Sequence, residues 1–308
     1  MKLNKIYSVL LLFLSVSIAH ATVLVTDDVV FESNHSTIAD TLNTSLQWVD
    51  NMMVDRQGNQ PDSNMTALGL HQNVKNTACY TVFPTSGLTE AACTEDSINL
   101  EDYVAANSVN VDAPRHVEVT ADWINDQADI GGNENILGDN VVLAVDSADT
   151  TVTVPVVEAE DNALLYYGAT LVDAGSRVAF PNDSYPIWKM QLGRYYVDNF
   201  LMTDKGKGFY LEYHRDRPHW HQPLSEDAGG FYLLAKAAGV NASGKTIYHL
   251  TGFRIPYGKA VYSRMGAIHA DPALTGSVWA VGYSDSDDFS TALVRNRDGQ
   301  MIRFVPAQ

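Results

Sequence analysis

From residue 175 onward, apolar positions fall in short alternating runs rather than in long helical stripes. "IWKMQL", "RYYVDNFLM", "GFYLEYH", "GGFYLLAKA", "TIYHLTGFRI", "AVYSRMGAIHA", "SVWAVGYS", "TALVRNR" and "MIRFV" are rich in β-branched and aromatic residues, with Gly, Pro, Asn or Asp between them. Residues two apart on a strand share a face, so the pattern predicts a strand for each run. "GVNASGK" and "NRDGQ" have the composition of hairpin turns. Many short strands with no helical period predict an antiparallel sandwich or barrel. The first half is mixed. Ile38, Leu42, Leu46, Val49 and Met53 recur at helical spacing and predict a helix over 36–54. Residues 55–66, "DRQGNQPDSNMT", read as a loop and "NLEDYVAANS" as a short helix. "NVVLAV", "TTVTVPVV" and "ALLYYGATLV" read as strands.

Charge divides the chain near Gly175. Residues 22–174 hold 25 Asp/Glu against Arg56, Lys75 and Arg115, whereas 175–308 hold 12 acids and 15 basic residues. This predicts an acidic α+β region over 22–174, packed on or beside a β-barrel domain over 175–308. The formal net charge of −17 argues against nucleic acid or an anionic membrane as the main partner.

The chain opens with "MKLNKIYSVLLLFLSVSIAHAT". Lys2 and Lys5 precede an apolar run, and Ala19-His20-Ala21 gives a small-x-small cleavage site, so 1–21 reads as a signal peptide. The run is shorter than the roughly 20 residues of a membrane span. The chain is therefore expected to be exported, to the periplasm or beyond. Cys79 and Cys93, the only cysteines, suit a disulfide in an oxidising compartment.

The chemistry concentrates in histidines. In the extended segment "RPHWHQPLSE", His219 and His221 aim at one point while Trp220 faces away, and Pro218 and Pro223 keep the segment out of a helix. Imidazole suits zinc, iron or nickel, and a carboxylate adds tolerance for manganese. Glu226 follows His221 by five residues, and His269 stands late in another β run. Glu212 and His214 form a second i,i+2 pair on the preceding run. His214 and His249 read as structural or pocket-lining residues. Tyr232, Tyr262 and Arg264 are candidates for proton transfer and for holding an anionic substrate group.

"HWHQPLSE" resembles the HxH-x(4)-E part of the first cupin motif, and "RIPYGKAVYSRMGAIHAD" is similar to the second, with Pro256-Tyr257-Gly258 before the strand of His269. Leu233 stands where that family has a glycine, and Asp227 to Gly230 separate Glu226 from the next run. The resemblance covers about 185–305. It implies a mainly β fold with a cupin-like antiparallel jelly-roll barrel. It also implies one divalent transition metal (Fe, Mn, Zn or Ni) held by His219, His221 and His269, with Glu226 as the fourth ligand. The function it implies is a metal-dependent lyase, isomerase or dioxygenase acting on a small polar molecule. A non-catalytic binding protein for a small ligand or sugar is the alternative.

Overall fold

A computed structural model describes residues 65–125, 141–204, 206–282 and 289–307. The expected signal segment and the helix over 36–54 lie outside these residues, as does most of the 55–66 loop. Met65 and Thr66, read as the end of that loop, instead open a strand.

Strands dominate, as the alternation demands. One sheet runs in the order Met65–Val74, Tyr185–Leu192, Leu274–Gly282, His219–Pro223, Ala260–Ser263 and Ala169–Val172, with Gly229–Gly230 added to Leu274–Gly282. A second runs in the order Tyr232–Val240, Ile268–Ala270, Tyr210–His214, Phe289–Asn296, Val141–Val145, Val117–Asn125, Thr246–Arg254 and Val156–Glu158. The 232–240 strand also pairs with 246–254, so seven strands of this sheet close into a barrel. Within that ring the pairs are antiparallel except for 289–296 with 141–145. The change of charge at Gly175 does not interrupt the hydrogen bonding, because strands from both sides of it pair within both sheets.

The side-chain period of two sorts the core into layers. Leu233, Ala235, Leu250, Val119, Ala121, Leu143 and Val145 form one buried cluster on one face of the barrel strands. The other face presents Tyr232, Leu234 and Phe253, which pack against Trp188, Met190, Val261 and Val281 of the first sheet. Behind the first sheet, Trp220 and Tyr262 meet Tyr80, Val82, Leu100 and Val104. Those four come from a small sheet ordered Gly87–Ala91, Cys79–Phe83, Arg177–Ala179, Ile98–Asn99 and from the helix Leu100–Asn107. Asn99 caps this helix by accepting a hydrogen bond from the Asp102 N–H.

Two runs read as strands are helical instead. Within "ALLYYGATLV", Asp161–Tyr166 is a short helix, and the strand begins at Ala169. The Asp161 carboxylate accepts hydrogen bonds from the Thr170 hydroxyl and the Leu171 N–H, folding the segment back on the strand it precedes. Leu164, Leu165 and Tyr166 are buried in succession, and such a run has no period that separates helix from strand. In "RYYVDNFLM", Val197–Leu201 forms a π-helix. Tyr196 and Phe200 stack with ring centroids 5.6 Å apart, an i,i+4 pair of helical rather than strand spacing.

Cys79 and Cys93 form a disulfide, as expected, and this is consistent with an exported protein. No described helix is long and apolar enough to cross a membrane.

Candidate metal centre

The strand His219–Pro223 carries the HxH pair, and it alternates as its sequence requires. His219 and His221 turn toward the second sheet. Trp220 turns away onto Phe180, and Gln222 donates to the Phe83 carbonyl in the layer behind. Tyr185 fixes the entry to this strand, its hydroxyl donating to the Pro218 carbonyl at 2.7 Å. A Cβ on Gly282 would collide with that hydroxyl, so glycine is required for the approach.

Across the gap between the sheets, Tyr210–His214 pairs with Ile268–Ala270 so that Glu212 lies opposite His269. The period of two puts His214 on the same face as Glu212. Glu212, His214, His219 and His269 thus converge, each offering a ligand atom within 4.8 Å of the others. All four are buried, at 1–4% exposure. His214 and His269 bring their Nε2 atoms to 3.3 Å, and His269 Nε2 stands 3.5 Å from Glu212 Oε2. Ligands bound at about 2.1 Å in a tetrahedral or octahedral shell sit roughly 3.0–3.4 Å apart, a range that includes the His214–His269 separation. The His219 ring lies 4.4 Å from that of His214 and 4.0 Å from that of His269, centroid to centroid.

His269 is also held in the tautomer that coordinates. Its Nδ1 lies 2.9 Å from the Ala267 carbonyl, which only accepts, so Nδ1 carries the proton and Nε2 presents its lone pair. Burial holds the His214 pKa well below the ordinary histidine value, and neighbouring His269 lowers it further. A neutral imidazole is the form that binds metal. These four residues can therefore hold a metal ion.

The expected set is partly rearranged. His219 and His269 belong to the cluster. His221 lies one step along, its Nε2 3.6 Å from the buried Asp271 carboxylate, which also accepts from the Tyr210 hydroxyl at 3.3 Å. Burial lowers the His221 pKa, with Asp271 opposing that shift. Glu226 is exposed on the turn after the HxH strand and is not among the four. The carboxylate within the cluster is that of Glu212, one strand earlier. His214, read as structural or pocket-lining, stands within the cluster.

Of the residues proposed for proton transfer, Tyr232 reaches the centre. Its ring packs 4.5 Å from His221 and 5.9 Å from His269, and its hydroxyl meets Ser263 Oγ at 3.0 Å. Tyr262 and Arg264 do not. Both bond to Glu101 in the layer behind the first sheet, at 2.8 and 3.2 Å. Tyr262 shares the outward phase of Trp220, its register partner, and this phase carries it away from the histidines.

The missed residues carried one legible signal. Glu212-x-His214 and His219-x-His221 are two i,i+2 pairs on consecutive strands, separated only by residues 215–218. No family model, curated protein or solved structure matches this chain, so the assignment of these four residues rests on their geometry.

Proposed function

We propose that this protein is an exported, metal-dependent enzyme of cupin-like architecture acting on a small polar molecule. One divalent transition metal would be held by Glu212, His214, His219 and His269. The buried convergence of three imidazoles and one carboxylate from two facing sheets carries the reading. A carboxylate and three imidazoles buried together are a donor set that suits a divalent transition metal. When bound, such an ion polarises a carbonyl or carboxylate, or activates water.

The chain's own groups supply the rest. Asp271 faces His221 and keeps a proton-accepting pair beside the cluster. Tyr232, in contact with both His221 and His269, offers a hydroxyl whose pKa burial raises well above its ordinary value, so it remains a proton donor. Iron, manganese, zinc and nickel all suit this donor set, and lyase, isomerase and dioxygenase chemistry all remain compatible with it.

The burial itself favours a second reading, a non-catalytic protein in which a closed metal centre ties the two sheets together. Reconstitution separates the two. Metal-free protein is reloaded with each metal and assayed on small carboxylates and sugars, beside a His219→Ala variant. Metal-dependent turnover that the variant lacks supports the enzyme. One equivalent of metal that raises the melting temperature without turnover supports the structural reading. Failure to bind metal contradicts both.

A further inference from the structure

A second group of ligating side chains lies on the barrel surface, remote in sequence from the cluster just described. His249 of the 246–254 strand sits directly opposite Glu118 of the 117–125 strand in antiparallel register. His116, just before that strand, lays its ring over His249 with centroids 3.7 Å apart and planes 15° from parallel. Glu118 Oε1 lies 3.5 Å from His249 Nε2 and 4.0 Å from His116 Nε2. All three ligand atoms fall within 4.8 Å of one another.

The outer nitrogen of each ring meets a polar partner, and such a contact fixes the orientation of an imidazole that binds metal. His116 Nδ1 meets the Pro114 carbonyl at 2.7 Å, which places its proton on Nδ1 and its lone pair on Nε2. His249 Nδ1 meets the Tyr166 hydroxyl at 2.8 Å, and in the tautomer in which Nδ1 donates to that oxygen the Nε2 lone pair is free for a metal ion beside Glu118. The Glu118 side chain is 65% exposed, so an ion has a route in from solvent. The near-parallel rings must splay for both nitrogens to reach one ion. His116 lies just before the 117–125 strand, outside the ladder, whereas His249 is paired within it.

We infer that His116, Glu118 and His249 form a second divalent transition-metal site. It is open to solvent and positioned by Pro114 and Tyr166. Two imidazoles and one carboxylate suit zinc, and three protein ligands leave a coordination position for water or an exogenous ligand. The site does not depend on the buried centre. The two differ in kind: one is closed with four ligands, the other open with three.

Zinc titration of the full mature protein by calorimetry, with elemental analysis after gel filtration, tests the inference. The proteins compared are wild type, His116→Ala/His249→Ala, Tyr166→Phe and His214→Ala/His219→Ala. The surface double variant should bind one zinc fewer than wild type. The buried-site variant should keep the equivalent that the surface variant loses. Tyr166→Phe should weaken that equivalent about tenfold or more, with an unchanged circular dichroism spectrum. The same zinc stoichiometry in wild type and in His116→Ala/His249→Ala would overturn the inference, whether or not the buried centre binds metal.

Discussion

His214 and His269, 55 residues apart in sequence, meet with their Nε2 atoms 3.3 Å apart between two sheets. Each stands on a different strand of the second sheet, and His219 reaches them from the first. A metal held there bonds the sheets together. Adding metal at a hundred times its Kd should stabilise the folded protein by about 2.7 kcal/mol. His269→Ala should abolish that increment and leave the metal-free protein folded. Thermal unfolding with and without added metal checks this.

Glu212 and Glu226 should behave oppositely. Glu212 is buried against His269, whereas Glu226 is exposed on a turn. Glu212→Gln should lose metal. Glu226→Gln should retain it, with stability within about 0.5 kcal/mol of wild type. Metal stoichiometry of the two variants decides which carboxylate is the ligand.

Alkaline pH should unfold the protein. Burial raises the Tyr80 pKa to about 12 and pushes Tyr167, Tyr185 and Tyr262 up as well. In the unfolded chain these phenols ionise near pH 10, so above that pH the unfolded state binds fewer protons than the folded one. Their contribution is complete below about pH 10 and is lost as pH rises through the folded values. Tyr80 alone costs about 1.4 kcal/mol per pH unit between roughly 10 and 12. Tyrosinate absorbance should therefore appear together with loss of the near-ultraviolet dichroism. Exposed tyrosines titrate first, and titration of every tyrosine near pH 10 in a protein that stays folded would contradict the burial of these rings.

The Cys79–Cys93 bridge closes a loop with a sequence separation of 14 at the small sheet. On the chain-entropy model it contributes about 3 kcal/mol. Cys79→Ala/Cys93→Ala should lower stability by about that amount, measured by urea unfolding. Metal stoichiometry should be unchanged, because no ligand of the buried cluster comes from that sheet.

The parts of this architecture that were legible in the sequence are the local ones. The period of two separated His219 and His221 from Trp220, and the turn over 241–245 joins the hairpin that "GVNASGK" announces. What the sequence hid was long-range register. Glu212 lies opposite His269 only because the 210–214 strand pairs with 268–270, and no local pattern encodes that pairing. Matching to a motif therefore favoured Glu226, which is near in sequence, over Glu212, which is near in space. The same gap explains Tyr262 and Arg264: their outward phase follows from the pairing of Tyr262 with Trp220. Short apolar runs such as Leu164–Tyr166 were ambiguous because burial on every side erases the period.

Glu212, His214, His219 and His269 are proposed to hold one metal ion. Anomalous diffraction at the absorption edge of the bound metal, from crystals of the reconstituted protein, tests it most directly. One strong peak is expected between the two sheets, about 2.0–2.2 Å from a nitrogen of each of the three histidines and from a Glu212 oxygen. A fully loaded crystal with no peak among these four residues would contradict it.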